Sequence, residues 1–138
     1  MINDLYQEVI LDHAKSPRNF GVLEHYTCSA EGNNPMCGDQ LTVYVDVKDG
    51  LVSDVSFSAR GCAISIASAS IMSSIIKGKT IEEVNTLFDK FHMLCTGQDI
   101  EDDDDTEILR VLSGVSKFPT RVKCATMIWH AVKEACTK

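Results

Sequence analysis

Apolar and polar residues alternate over two neighbouring stretches in the first half of the chain. The segments LTVYVDV and LVSDVSFSA, within residues 40–48 and 51–60, have this period of two and are rich in β-branched residues, as half-buried strands are. Between them stands Asp49-Gly50, a pair that favours a two-residue hairpin turn. The pattern predicts an antiparallel hairpin with one apolar face, which helices should cover.

Helical periodicity and helix-ending residues flank this hairpin on both sides. Thr80 and Glu83 have the spacing of a capping box at the start of a helix. The remaining elements predicted are helices over Asn3–Ala14, Ile64–Gly78, 81–94, Thr106–Leu112 and from Thr120 onward, with one short strand around Tyr26–Ala30.

The order of these elements is a helix, a small sheet and then further helices, which is the order of an α+β fold. A chain of 138 residues has the length of one ordinary domain with its own core. We therefore expect a single domain over residues 1–138, with an antiparallel sheet of about three strands covered on one face by helices.

Composition and charge narrow the classes of function. Hydrophobic residues make up 44% and charged residues 24% of the chain, as in an average globular protein, and the weakly polar run over 62–76 is too short to span a bilayer. The first residues lack the layout of a signal peptide, so a cytoplasmic protein without a membrane partner is predicted. A net charge of −7 repels phosphate backbones and disfavours a nucleic-acid partner. The acidic run EDDDD at 101–105 is interpreted as solvated.

Three cysteines stand at boundaries between predicted elements. Cys37 precedes the first hairpin strand, Cys62 follows the second, and Cys124 lies near the start of the last helix. Hairpin register brings residues near 39 and 60 opposite each other, so Cys37 and Cys62 are expected at the same end of the sheet. Because cytosolic thiols stay reduced, such cysteines indicate metal binding or catalysis rather than disulfides. The other cysteines are interpreted as buried or incidental: Cys28, Cys95 and Cys136.

A carboxylate accompanies these thiols, since Asp39 follows Cys37 by two residues. Three thiolates and one carboxylate would make a tetrahedral site suited to zinc, and a thiolate-rich pocket equally suits an iron–sulfur cluster. The chain has no CxxC pair, so the spacing alone also allows a buried structural role for each cysteine. Arg121 lies about one helical turn before Cys124 and is a candidate supporting residue.

Four segments carry a resemblance to a known family. LDHAKSPRNFG, NPMCGDQ, RGCAISIASAS and RVKCATMIWHA resemble, in this order, the iron–sulfur scaffold family that contains IscU and the N-terminal domain of NifU. The similarity runs from about Leu5 to Ala135. It implies that Cys37, Cys62 and Cys124 are the three site cysteines of the family and that Asp39 is the carboxylate beside them.

Two departures from IscU-type sequences make the chain similar to the SufU branch of that family. Lys123 stands where IscU-type proteins carry a histidine, and an extra segment lies around Lys90–Ile108. Lys123 is therefore a second candidate supporting residue. The resemblance implies a zinc ion bound by the three cysteines and Asp39. It also implies sulfur transfer with a SufS-like cysteine desulfurase, followed by delivery to apo-proteins or downstream assembly proteins. The missing histidine disfavours the alternative, a scaffold for a [2Fe–2S] or [4Fe–4S] cluster.

The residues also suggest which thiol reacts. A desulfurase leaves a persulfide on its own cysteine, and a second thiolate must attack the outer sulfur. Cys37 is our hypothesis for this acceptor, because its neighbours predict an exposed turn. A zinc hydrolase would need an open coordination position and a general base. Four protein ligands would leave no such position, so a sulfurtransferase-type carrier is favoured over a stand-alone hydrolase.

Overall fold

The computed structural model describes residues 4–34, 38–98, 100, 108–117 and 119–137. In chain order its elements are α1 (Asp4–Lys15), β1 (Cys28–Asn34), β2 (Asp39–Lys48), β3 (Leu51–Arg60), α2 (Ala63–Ile76), α3 (Ile81–Cys95), a 3₁₀ helix (Arg110–Lys117) and α4 (Pro119–Thr137).

The predicted hairpin is confirmed, with β2 and β3 paired antiparallel and Gln40 opposite Arg60. Asp49 and Gly50 both have positive φ, 54° and 76°, as the favoured two-residue turn requires. The two strands therefore end together at the side of the sheet where Asp39 begins β2.

Strand β1 is longer than predicted and lies further along the sequence. A short strand was expected around Tyr26–Ala30, whereas β1 runs over Cys28–Asn34 and pairs with β2 as far as Asn34 opposite Asp39. Gly32 and the asparagines after it are turn formers, but pairing with β2 outweighs this local preference. The missing side chain at Gly32 has a use here, because a Cβ would lie 2.9 Å from side-chain atoms of Leu41 and Met127.

Two helices cover one face of the sheet. α2 packs on β3, and α4 packs on β1 and β2, so the odd-numbered residues in the first part of β2 face a closed core. The largest side chains without exposed surface include Val43, Val45, Phe57, Ile71 and Ile128. The α+β class with a three-stranded antiparallel sheet is confirmed.

The helix predicted over Thr106–Leu112 needs correction. Its first residues and the acidic run lie outside the described residues. Ile108 and Leu109 are helical, and the segment then continues as a 3₁₀ helix to Lys117. Leu112 and Val115 are both buried, and a spacing of three residues aligns side chains in a 3₁₀ helix. The capping box of Thr80 and Glu83 at the start of α3 is confirmed.

Serine hydroxyls inside α2 hold the loop after α1. Ser70 Oγ accepts a hydrogen bond from the backbone N of Arg18 at 2.9 Å and lies 2.7 Å from Nδ1 of His13. The hydroxyl can then donate to Nδ1, an arrangement that needs a neutral imidazole. Asn19 Nδ2 donates to Ser73 Oγ at 3.1 Å. Buried polar groups of α2 are thus satisfied by a neighbouring segment.

The same loop covers the outer edge of β3. The backbone N of Phe57 donates to the carbonyl of Asn19 at 3.1 Å, and the N of Gly21 donates to the carbonyl of Phe57 at 2.7 Å. The rings of Phe20 and Phe57 meet edge to face, with centroids 5.4 Å apart. The loop is therefore fixed to the sheet and to α2 at once.

Within the part of the chain that the structure describes, no helix is both long enough and apolar enough to cross a bilayer.

We predict that His13 makes stability fall as the pH falls. Burial lowers the pKa of His13 below its ordinary value of 6.5, and the Arg18 guanidinium lowers the pKa further. Below about pH 6.5 the unfolded chain binds a proton that the folded protein does not, so the free energy of unfolding decreases until the folded pKa is reached. The decrease amounts to about 1.4 kcal/mol for each unit of pKa difference.

Urea unfolding at pH 7.5 and pH 5.5 measures this effect, and His13→Gln should lose part of it. His25 is exposed, so His25→Gln is the matched control and should behave like the wild type. Burial also lowers the pKa of His130, so a smaller dependence of the same sign should remain. An unchanged pH dependence in His13→Gln would contradict the prediction.

Candidate metal centre

Three potential metal ligands meet where the sheet, α2 and α4 come together. Asp39 is the first residue of β2, Cys62 is the residue that precedes α2, and Cys124 lies in the second turn of α4. One ligand atom from each lies within 4.8 Å of the other two. Among the described residues this is the one group of three or more such side chains close enough to hold a metal ion.

The hairpin register places the carboxylate of Asp39. It lies on the same face of β2 as the buried Leu41 and Val43, toward the helices, and it has no exposed surface. Its Oδ1 accepts a hydrogen bond from the backbone N of Cys62 at 2.8 Å, and its Oδ2 accepts one from Ser65 Oγ at 2.9 Å. Donors at a helix N-terminus favour a negative charge, so this buried carboxylate is compensated.

Gly61 allows this close approach between β2 and the start of α2. Its φ is +149°, and a Cβ at this position would overlap Oδ1 of Asp39 and lie 2.8 Å from Cγ and 2.9 Å from Cα. A residue with a side chain would therefore displace the carboxylate or the strand that carries it. The glycine beside Cys62 is required by the packing of the site itself.

The two thiols have different surroundings. Sγ of Cys62, which is half-buried, lies 3.8 Å from Oδ2 of Asp39 and 3.5 Å from Ser65 Oγ. Cys124 has no exposed surface, and its Sγ lies 3.6 Å from Nδ2 of Asn34. Ser65 Oγ also approaches the carbonyl of Cys124 at 3.3 Å, so one hydroxyl connects the first turn of α2 with α4.

Zinc fits this donor set by its chemistry. Two thiols and a carboxylate are ligands that zinc accepts, and a structural zinc site takes four of them. The predicted fourth ligand, Cys37, lies outside the described residues, directly before Gly38 and Asp39 in the sequence. When bound, zinc would hold the cysteines as thiolates and fix their positions.

The candidate supporting residues Arg121 and Lys123 are both exposed on α4. Lys123 lines a groove of about 290 Å³ between α4 and the residues Glu31 and Gly32 of β1. A role for either side chain in the chemistry remains a prediction.

Two polar residues of the site were missed in the sequence. Ser65 follows Cys62 by three residues, a spacing that places both on one helix face, but it is one of several buried serines in α2, and its residue type does not distinguish it from the others. Asn34 lies opposite Asp39, which becomes visible only once the end of β1 is known.

The remaining cysteines lie apart from this group of donors. Cys95 is fully buried, and Cys28 and Cys136 are half-buried. Burial raises the pKa of Cys95 to about 12. Burial, together with the neighbouring Cys28, raises the pKa of Cys136 to about 11. Cys95 and Cys136 thus remain protonated near neutral pH and are poor nucleophiles.

Comparison with known proteins gives concordant matches. The family described as "NifU-like N terminal domain" matches residues 5–125. A "Zinc-dependent sulfurtransferase SufU" of Bacillus subtilis (strain 168) is 41% identical over 137 residues, which cover 99% of this chain and 92% of the relative. An "Iron-sulfur cluster assembly scaffold protein IscU" of Streptococcus pyogenes serotype M1 is 38% identical over 134 residues, covering 97% of this chain and 84% of the relative.

A solved structure from Fervidobacterium islandicum AW-1 has the same fold. It is described as a candidate iron–sulfur cluster assembly scaffold protein for the SUF system. It superposes with a TM-score of 0.87 at 31% identity, covering 94% of each chain.

We predict that Gly61→Ala destabilises the protein more than a glycine replacement elsewhere. The added Cβ would overlap the carboxylate of Asp39, and such overpacking costs about 1–3 kcal/mol. Gly78→Ala is the matched control, because Gly78 also has positive φ, +86°, but a Cβ added there would have no atom within 4 Å. Equal free energies of unfolding for the two variants in urea would contradict the close approach described here.

We predict that Ser65→Ala destabilises the metal-free protein by about 1–3 kcal/mol, because a buried carboxylate oxygen of Asp39 loses its nearest donor. Ser74→Ala removes a hydroxyl from the exposed side of the same helix and should cost much less. Thermal and urea unfolding of both variants provide the measurement. A cost for Ser65→Ala as small as that for Ser74→Ala would show that Asp39 does not depend on this hydroxyl.

Proposed function

This chain belongs to the NifU-like N-terminal domain family, and we propose that it accepts sulfur from a cysteine desulfurase and passes it on for iron–sulfur cluster assembly. The acceptor in this proposal is Cys37, and the zinc ligands are Cys37, Asp39, Cys62 and Cys124. The observation that carries the proposal is the cluster of Asp39 with two cysteines, whose ligand atoms lie within 4.8 Å of one another.

The chemistry of this transfer balances without a redox partner. The Cys37 thiolate attacks the outer sulfur of a persulfide on the desulfurase and forms a new S–S bond. The S–S bond of the desulfurase persulfide breaks, and its cysteine leaves as a thiolate that takes up a proton. The persulfide is now on Cys37, ready for transfer to an acceptor protein or assembly protein. The proposal places this exchange in the cytoplasm.

The surroundings of the described ligands support a division of tasks within the site. Cys124 is buried and Asp39 is held by two hydrogen bonds, so both are suited to keep a metal in place. Cys37 follows Pro35 and precedes Gly38 in the sequence, a setting that favours a turn. The similar SufU protein is described as a zinc-dependent sulfurtransferase, which agrees with this choice of metal.

The second candidate function is a scaffold that holds a [2Fe–2S] or [4Fe–4S] cluster as cargo at the same residues. The similarity to an IscU protein described as a scaffold favours it, and thiolates suit such clusters. Against it stands Lys123, where IscU-type sequences carry a histidine. Anaerobic reconstitution with iron and sulfide separates the candidates, since a stable visible cluster spectrum would favour the scaffold.

We predict that the protein raises sulfide production by a SufS-like cysteine desulfurase supplied with cysteine and a reductant. Cys37→Ala should abolish this rise, because the attacking thiolate is gone. Cys136→Ala is the control and should keep the rise, because this thiol lies apart from the site. If the two proteins bind but turnover does not increase, or if Cys37→Ala still stimulates, sulfur acceptance by Cys37 is wrong.

A further inference from the structure

We propose that Asn34 is a positioning residue, whose side-chain amide donates a hydrogen bond to the Cys124 thiolate and keeps Cys124 on the metal during sulfur transfer. This inference rests on the proposed function, because it assigns Cys124 the part of a retained ligand.

The geometry brings this amide to the sulfur. Asn34 is the last residue of β1 and is opposite Asp39 in the register. Its side chain points to the helix-covered face, where the residue is only 1% exposed and Nδ2 lies 3.6 Å from Sγ of Cys124. Two residues earlier, Gly32 lets Met127 approach the strand closely. The distance between the end of β1 and α4 is thus set by packing.

The chemistry of the amide of Asn34 and the thiolate of Cys124 determines which group donates the hydrogen bond. An amide nitrogen can only donate, and a metal-bound thiolate can only accept. Because Cys124 has no exposed surface, bulk water does not supply this donor. A hydrogen bond to sulfur withdraws charge from it, which makes the thiolate a weaker nucleophile, and the bond also fixes the position of Sγ relative to the other ligands. Cys124 is then held as a ligand while another thiolate is exchanged.

A second observation concerns the other end of the same amide. Oδ1 of Asn34 is buried, and among the described residues it has no hydrogen-bond partner. Buried polar atoms without a partner are uncommon and call for an explanation. Turning the amide over would direct the oxygen at the sulfur, where it would repel a thiolate. The contact of Nδ2 with the sulfur therefore accounts for an orientation that leaves the oxygen without a donor.

Cys62 has a different environment. Its thiol is half-buried and lies beside the hydroxyl of Ser65 and the carboxylate of Asp39. Within the described residues, the side-chain amide of Asn34 contacts the thiol of Cys124 and not that of Cys62. The site thus distinguishes its two described cysteines by an amide donor and by exposure.

The first experiment compares metal binding by Asn34→Leu with that of the wild type. Leucine has a similar volume but no donor, and it also removes the oxygen that lacks a partner. We expect the metal-free variant to be no less stable, yet to bind zinc about 10- to 100-fold more weakly in competition with a chromogenic chelator, as for other outer-shell partners. With cobalt in place of zinc, the sulfur-to-metal charge-transfer band should move to longer wavelength.

Asn33→Ala is the matched control, because Asn33 is the exposed neighbour on the other face of β1. This variant should bind zinc and cobalt as the wild type does. A zinc affinity of Asn34→Leu within twofold of the wild type, with an unchanged cobalt spectrum, would overturn the proposal. A loss of stability with full metal affinity would also overturn it, since Asn34 would then be structural only.

A measurement on the wild type decides the matter if Asn34→Leu does not fold. In protein loaded with cadmium-113, we expect a scalar coupling between the metal and the side-chain amide proton of Asn34, transmitted through the sulfur. Absence of this coupling, with an Asn34 amide shift equal to that of Asn33, would overturn the proposal. If the wild type binds neither zinc nor cobalt through thiolates, the proposed function fails first, which is a distinct outcome.

Discussion

The buried carboxylate of Asp39 is the group on which the arrangement of this protein depends. It has no exposed surface, and a charge removed from water is tolerated only where donors replace the solvent. Its donors, the backbone N and the thiol of Cys62 and the hydroxyl of Ser65, all belong to the start of α2. The first residue of β2 and the first turn of α2 are therefore held as one unit. Gly61 makes this possible by leaving the carboxylate room.

Hydrogen bonds fix α2 at both ends as well as along its length. Ser65 reaches Asp39 and the carbonyl of Cys124 at one end, and Ser70 and Ser73 hold the loop after α1 at the other. Between them Ser68 donates to the carbonyl of Ala125 on α4. Small side chains let the helices approach, and directional bonds prevent them from sliding. Metal sites need ligands held to within about 0.5 Å, and this interior supplies such a constraint.

Local patterns in the sequence were sufficient for the part of the site that the hairpin builds. Asp49-Gly50 determines the turn, and the strand pairing that starts at this turn brings the beginning of β2 close to Cys62. A register shift between Asp46 and Val47, which the turn does not predict, then sets Gln40 opposite Arg60. The position of Cys124 depends on how α4 packs across β1 and β2, and a distant packing contact has no local pattern. Its position near the start of the last helix made it a candidate ligand, and the resemblance to a known family then assigned it to the site.

The two site residues that were missed, Asn34 and Ser65, also depend on contacts between segments that are distant in the sequence. Asn34 stands between Gly32 and Pro35 in a stretch whose residue types predict a loop, yet strand pairing continues to it. Its neighbour in space, Cys124, is 90 residues away in sequence. Ser65 lies in a helix where many serines are buried, so nothing in its type distinguished it. Ser65 differs from the other serines of the helix in that it contacts the carboxylate of Asp39.

The loop that covers the edge of β3 also affects the tendency of the protein to associate with other copies of itself. An uncovered strand edge is a template for pairing with another chain and hence for aggregation. β3 carries Val55 and Phe57 in its centre, and the backbone N and O of Phe57 are bonded to Asn19 and Gly21. Because Asn19 holds a left-handed φ of 58°, the cover depends on a residue type that tolerates this conformation. A β-branched residue at position 19 would open the edge, so its first effect would be on solubility rather than on the chemistry of the site.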